Sequence, residues 1–283
     1  RGRFVRLGGT VDRVLREHAY PRPISDLLGE LMVLVGGFAG MMKFDGSFSL
    51  QVRGQGPVSL LVADCTNDGA MRGYASFDED ALEALDEPAS RQLLSDSLLV
   101  LTVDQTASGG EIHQGIVEVN AGSLTDSMRT YFKQSEQVPT GIKVAIDRDD
   151  ANGDWRGAAI IVQAMPTDSG ERGPEAIDDW HRAMLLLETA TEDEMLDPGL
   201  PPDRLLFRLF HEDGVRVFEP MPLSAACSCS EERVTSVLLH FDREELEDMK
   251  LEDGSIDVTC QFCNHRYHFS PHQLTELFRE STH

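Results

Sequence analysis

Cysteine is scarce in this sequence, at 5 of 283 residues. So small and odd a number excludes the disulfide-dense scaffold of a small secreted domain. Basic residues are also short, with 25 Lys and Arg against 49 Asp and Glu and a formal net charge of −24. That balance repels phosphate backbones and anionic lipid surfaces, so neither nucleic acid nor a membrane is expected as a partner. Long hydrophobic runs are missing. The most apolar stretch, Leu27 to Met42, is flanked by Asp26 and Lys43, contains Glu30, and is interrupted by Gly36, Gly37 and Gly40. It is shorter than the ~20 residues that span a bilayer and reads as a buried helix. No signal peptide is visible, and a soluble, cytoplasmic protein is expected.

Catalytic signatures are missing as well. The sequence has no Gly-x-x-x-x-Gly-Lys-Ser/Thr, no Gly-x-Ser-x-Gly and no His-Glu-x-x-His, which removes the usual engine of an ATP-driven cycle and two common hydrolase centres. The His-x-Glu of the zinc deaminases is lacking, and Thr259 precedes Cys260 where their signature has Pro. Asp147 to Asp154 has the acidity of a calcium loop without its spacing or closing Glu, and reads as a hairpin turn. No enzymatic activity is expected.

What is present is a globular composition, 41% hydrophobic and 26% charged, with two kinds of periodicity. Phe4–Leu7 reads as a strand, Thr10 as the N-cap of a helix carrying Val11, Val14 and Leu15, and Tyr20-Pro-Arg-Pro23 as its stop. Leu27, Leu31, Leu34, Val35 and Phe38 recur at helical spacing. From Lys43 to Tyr74 the period becomes alternating and turns at Gly54–Pro57 and Asn67–Gly69, as in an antiparallel meander. The acidic stretch Asp78 to Asp96 reads as a helix or loop insertion. Further strands are expected at Leu98–Val103 and Gly115–Val119. An amphipathic helix spans Ser123–Gln134, and a hairpin forms around Asn152-Gly153.

These elements make an α+β domain over residues 1–166. Thr167 to Pro174 has linker composition and opens a helical middle region, 167–220, with helices at Ala176–Ala190 and Leu205–Phe210 and a strand at Val215–Phe218. That region is too small for a core of its own and is expected against the first domain. Residues 221–283 form a small module. In it, Asp242 and Glu245 make a capping box, Ile256–Thr259 and Arg266–Phe269 make strands, and Ser270-Pro271 starts a helix with Leu274, Leu277 and Phe278 as its stripe.

Four of the five cysteines lie in this module as two tight pairs, Cys227-Ser-Cys229 and Cys260-Gln-Phe-Cys263, separated by 30 residues. Two such pairs meeting across a loop are what a tetrahedral Zn²⁺ site with four thiolates requires. A module this small seldom holds together by burial alone and needs a staple. Alternate residues of an extended segment would aim Cys227 and Cys229 to one side. Asn264 tolerates the left-handed conformation that a turn around a metal often needs after its second ligand. His265, His268 and His272 are close enough to replace one thiolate. A Cys₄ site has no open position for water, so the reading is structural, not hydrolytic.

Cysteines this near each other also fall within the Cα separation of about 4.4–6.8 Å that a disulfide tolerates, and thiolates are the form oxidants attack. Oxidised sulfurs no longer ligate well, the ion would leave, and the module would unfold. Spacing alone leaves a stability element and an oxidation-triggered switch both open. Two further readings are a zinc-ribbon module for a protein or nucleic-acid partner and a thiol–disulfide oxidoreductase. Residues 221–283 carry 5 Lys/Arg against 12 Asp/Glu, a balance of 5 − 12 = −7 that speaks against nucleic acid. Cys260-x-x-Cys263 stands outside the βαβ context of redox enzymes. Cys65, alone at the end of a strand, reads as a small buried residue.

The sequence resembles the redox-regulated holdase chaperones of the heat shock protein 33 family over essentially its whole length. The tail carries Cys227-Ser-Cys229-Ser, Glu252-Asp-Gly-Ser-Ile-Asp257 and Cys260-Gln-Phe-Cys263. The first domain carries Leu28-Gly-Glu-Leu31, Lys43-Phe-Asp-Gly46, Gly54-Gln-Gly-Pro57, Met71-Arg-Gly73 and Tyr131-Phe-Lys-Gln-Ser-Glu-Gln-Val-Pro-Thr140. The resemblance implies a sheet-containing N-terminal domain for dimerisation and client binding, a helical linker region and a C-terminal redox-switch module. It implies one Zn²⁺ on Cys227, Cys229, Cys260 and Cys263 in the reduced, inactive state. Oxidation is implied to form Cys227–Cys229 and Cys260–Cys263 disulfides. The active form it implies is a homodimer that holds unfolding client proteins without ATP under oxidative stress. Many members have Gly or Gly-Asn after the last cysteine, where this chain has Asn264-His265.

Overall fold

The computed structural model describes residues 1–86, 89–165 and 173–280. The expected linker at 167–174 lies for most of its length outside the described residues, as does the boundary at residue 166. The chain divides into two compact units, Arg1–Ala225 and Ala226–His283.

The first unit opens with β1 (Gly2–Leu7), α1 (Gly9–His18) and α2 (Arg22–Ala39). A meander follows, β2 (Ser47–Arg53), β3 (Val58–Thr66) and β4 (Ala70–Phe77), then two short helices, α3 (Glu79–Glu83) and α4 (Ser90–Leu93). Next come β5 (Leu98–Asp104), β6 (Ile112–Glu118), α5 (Leu124–Gln134) and the hairpin β7 (Thr140–Arg148) and β8 (Trp155–Gln163). Helices α6 (Pro174–Glu188), α7 (Glu192–Leu196) and α8 (Pro202–Phe210) precede a two-residue strand, β9 (Ser224–Ala225).

The strands make two sheets, ordered β1-β8-β7 and β6-β5-β2-β3-β4-β9. All pairs are antiparallel except β4 with β9. Helix α2 touches strands of both sheets, and its Leu28, Leu31, Met32, Val33, Leu34 and Val35 are completely buried. A helix apolar on every side needs such a place in the middle of a core. A Cβ at Gly37 would stand 2.5 Å from Cδ1 of Ile161, so glycine is what lets α2 approach β8 this closely.

Strand β8 is buried on both faces. Ile161 belongs to the core around α2. Its neighbour Ile160 belongs to a second core with Ala145, Ala158, Leu187, Met195, Leu205 and Leu209. Successive side chains of a strand point to opposite sides, so one strand supports both layers. The second core is where the helices of the middle region lie against the three-stranded sheet. Leu185 on α6 and Phe207 on α8 face outward and are exposed.

Three local expectations differ from the structure. The N-cap of α1 is Gly8, and the Thr10 hydroxyl instead donates to the Leu223 carbonyl at 3.0 Å. Val215–Phe218 is not a strand, and among the described residues no strand lies beside it to supply the ladder that would stabilise an extended segment. The first domain, expected to be built on one antiparallel or mixed sheet, has two, since β1 pairs with β8 and not with the meander.

The second unit contains α9 (Glu231–Leu238), α10 (Arg243–Asp248), the hairpin β10 (Ile256–Thr259) and β11 (Arg266–Phe269), and α11 (Pro271–Glu280). Asp242 accepts from the Glu245 amide at 2.9 Å while Glu245 accepts from the Asp242 amide, which starts α10 as its capping box requires. The core is small: Leu238, Leu246, Ile256, Phe269 and Leu274.

Candidate metal centre

Two segments of the second unit carry the cysteines. Cys227 and Cys229 lie in an irregular stretch that ends where Ser230 caps α9 by accepting from the Arg233 amide. Arg233 donates in turn to the Ser228 hydroxyl at 2.8 Å, so the first turn of α9 fixes the residue between the two cysteines. Cys260 and Cys263 lie in the tight turn of the β10–β11 hairpin. The Cys260 amide donates to His265 O and the Asn264 amide to Cys260 O, both at 2.9 Å. Asn264 has φ +52°, the left-handed conformation the turn demands and asparagine tolerates.

These segments bring all four sulfurs within 4.8 Å of one another. Cys227 Sγ is 3.7 Å from Cys260 Sγ, and Cys229 Sγ is 3.4 Å from Cys263 Sγ. Thiolates about 2.3 Å from a tetrahedral ion stand about 3.8 Å apart, so the quartet already has the dimensions of a Cys₄ site. The three histidines make other contacts. His268 Nδ1 is 2.8 Å from Asp257 Oδ1, His272 Nδ1 is 3.5 Å from Glu276, and the His265 ring packs edge-on against Tyr267 at 4.6 Å. Among the described residues these cysteines are the one group of three or more His, Cys, Asp or Glu gathered closely enough to hold a metal ion.

The sulfurs share protons unequally. Burial opposes ionisation of Cys229, but hydrogen bonds from Tyr267 and the other three thiols outweigh it and lower its pKa to about 7. Burial and hydrogen bonds within the quartet push Cys227 and Cys263 upward. A quartet in which one thiolate is stabilised by its neighbours' protons is one that a divalent cation can enter by displacing those protons. Cys65 stands apart. It is fully buried in the first unit, and burial, with Asp64 and Asp68 nearby, raises its pKa to about 12.

A sequence model of the family described as Hsp33 protein matches residues 1–270. The chain belongs to the Hsp33 family. A 33 kDa chaperonin of Caulobacter vibrioides (strain NA1000 / CB15N) is 38% identical over 277 residues, covering 96% of this chain and 91% of the relative. A 33 kDa chaperonin of Azotobacter vinelandii (strain DJ / ATCC BAA-1303) is 37% identical over 279 residues, covering 98% and 90%. A solved structure of the 33 kDa chaperonin from Thermotoga maritima matches the fold with a TM-score of 0.79 over 99% of this chain and 94% of that one, at 22% identity. The Hsp33 family is one of chaperones. The mixed α and β architecture and the cysteine cluster near the C-terminus agree with the expectations drawn from the sequence. Among the described residues no helix is long and apolar enough to cross a membrane.

What the sequence did not announce is the support around the cysteines. Helix α9 was not expected, although Ser230 followed by Glu231 and Glu232 is an N-terminal signal. The contacts of Arg233 with Ser228 and of Tyr267 with Cys229 depend on how the segments fold back on each other.

Proposed function

We propose that the chain is an ATP-independent holdase chaperone that oxidation switches on. The observation carrying this reading is the meeting of two cysteine pairs, at metal-site dimensions, in a unit whose core has five buried hydrophobic side chains among the described residues. Membership of a chaperone family supports it.

In the reduced protein Cys227, Cys229, Cys260 and Cys263 hold one Zn²⁺, the ion that soft thiolates in tetrahedral array favour. When bound it supplies a cross-link between the Cys227–Cys229 segment and the β10–β11 turn and keeps the sulfurs deprotonated. Against peroxide, one thiolate of a pair attacks an oxygen, becomes a sulfenic acid and releases the other oxygen as water. Its neighbour attacks that sulfur, and the hydroxyl leaves as a second water. Two thiolates, one H₂O₂ and two protons from the solvent thus give one disulfide and two H₂O. The pairs formed are Cys227–Cys229 and Cys260–Cys263. Loops this short restrain the unfolded chain very little. With its ligands oxidised the ion is lost, and so is a contribution of ~10–16 kcal/mol of the kind measured for structural zinc. That is as large as the net stability of a whole domain. The unit unfolds, exposing Leu238, Leu246, Ile256, Phe269 and Leu274, and a homodimer in the cytoplasm binds unfolding client proteins and prevents their aggregation.

The test treats the purified protein with peroxide or hypochlorite at mildly elevated temperature and measures zinc release beside suppression of aggregation of a denatured client. Suppression should appear with zinc release. Equal suppression by the reduced, zinc-loaded protein contradicts the switch.

A further inference from the structure

Helix α6 is held to the three-stranded sheet by few groups. Leu187 is its one fully buried side chain among the described residues, and Met184, one turn earlier, lies partly buried at the rim of the second core. Beneath them β7 presents Gly141, Lys143 and Ala145, alternate residues of one face. Lys143 reaches the end of the helix, where its Nζ donates to Glu188 O at 2.7 Å. Gly141 is the seat of the methionine. A Cβ there would collide with Met184 Sδ, and would stand 2.5 Å from its Cε and 3.1 Å from Leu187 Cδ2. The thioether therefore rests on the backbone of the strand.

This contact combines access with tightness. The Met184 side chain is open enough for a small oxidant to reach its sulfur, whereas Met195 in the same core is fully buried and out of reach. On its inner side the sulfur has no room for another atom. Oxidation would turn a flexible apolar side chain into a polar one. Gly141 and Leu187 offer the new oxygen no side-chain donor, and the Lys143 ammonium is held by Glu188. A polar group pressed into such a seat without a partner drives the two surfaces apart.

We propose that Met184 is a second oxidant-sensing residue: hypochlorous acid converts its thioether to the sulfoxide, and α6 lifts from β7. The sulfur lone pair attacks chlorine and displaces hydroxide. Water then attacks sulfur, chloride leaves with the bonding pair, and the new S–O group loses its protons. Overall a thioether and HOCl give a sulfoxide, Cl⁻ and H⁺, with sulfur losing the electron pair that chlorine gains. Peroxide reacts slowly with thioethers, so the cysteines answer both oxidants and Met184 answers the stronger one. Lifting α6 uncovers Ala145, Ala158 and Ile160 on the sheet. That this surface serves client binding rests on the holdase reading above; the oxidation and its structural effect do not.

The test treats the zinc-loaded full chain with hypochlorite, then with dithiothreitol and zinc, which restore the cysteines and leave a sulfoxide in place. Peptide mapping should find an added oxygen on Met184 and none on Met195, both within the tryptic segment 183–204. Amides of α6 should still exchange roughly tenfold faster than in untreated protein, while β10 and β11 regain their protection. Methionine sulfoxide reductases for both epimers should then restore α6. Protein treated with peroxide should recover fully on reductant alone, as should hypochlorite-treated Met184→Leu, a swap of similar volume. Met184→Gln, polar at the same place, should show the loosened α6 without any oxidant. An unmodified Met184, an α6 that recovers with reductant alone, or a persistent loss in Met184→Leu equal to the parent's each overturn the proposal. So does a parent that the reductases fail to restore, which decides the matter even if Met184→Leu does not fold. Failure of the oxidised protein to suppress aggregation overturns the holdase reading alone.

Discussion

Cys229 Sγ lies 3.4 Å from Cys263 Sγ, a residue 34 positions further along the chain. The Cys227–Cys260 and Cys229–Cys263 contacts thus run between the two cysteine pairs, as in a quartet gathered around one centre. The proposed disulfides run within the pairs. Peptide mapping after peroxide treatment should find Cys227–Cys229 and Cys260–Cys263, because the segments separate once the shared centre is gone. A dominant Cys229–Cys263 crosslink would mean that oxidation occurs in the assembled quartet and leaves the segments joined.

Replacing one ligand should have the same structural effect as oxidation. Cys263→Ser is expected to abolish zinc binding and melt the second unit at every temperature, while the cores around α2 and β8 persist. Limited proteolysis would read this as rapid cleavage within 226–280 and a resistant fragment from the first unit. A folded, zinc-containing variant would point to a substitute ligand such as His265.

Cys65 should take no part. It is fully buried and its thiol titrates near 12, far above neutral pH, so almost no thiolate is present to react. A thiol titration of the fully oxidised protein should therefore find one free thiol, reactive only after denaturant is added. Cys65→Ala should leave zinc release and its oxidant dependence unchanged.

Much of this was legible locally. The Asp242/Glu245 capping box, the hairpin at Asn152-Gly153 and the left-handed Asn264 each depend on a few adjacent residues, and each appears in the structure. The cysteine quartet was legible for a different reason: ligand chemistry makes two pairs informative even across 30 residues. Less legible were features decided at long range. β1 pairs with β8 some 150 residues away, β9 runs parallel to β4, and Thr10 is claimed by Leu223 instead of its own helix. Val215, Val217 and Phe218 had a strand's composition, but strand formation needs a partner edge, and local sequence does not report one.

Glu30 gives a pH dependence with a definite sign. Its Oε1 accepts from the Thr125 amide at 3.1 Å and hydroxyl at 2.8 Å, tying α2 to the first turn of α5. Burial raises its pKa above the ordinary 4.5, more than these hydrogen bonds lower it, and Asp126 raises it further. Asp26, Arg129, Lys143 and Glu188 line the same hollow. A carboxyl with a raised folded-state pKa favours the folded state most below its unfolded pKa, and that contribution is lost as pH rises through the folded value. Glu30→Gln keeps an acceptor for Thr125 and removes the charge. Its thermal midpoint should exceed the parent's at pH 8 by a few degrees, as expected for roughly 1 kcal/mol, and converge with it toward pH 4.5. A variant less stable at both pH values would show that the charge itself holds α5.

The central claim is that the four thiolates are one switch whose output is loss of structure. The most direct measurement follows one peroxide time course by zinc release and by hydrogen exchange together. Zinc should leave as protection disappears from β10 and β11, at the same rate, with α2 still protected. Disulfides formed while β10 and β11 remain protected, or zinc lost with the second unit still folded, would contradict it.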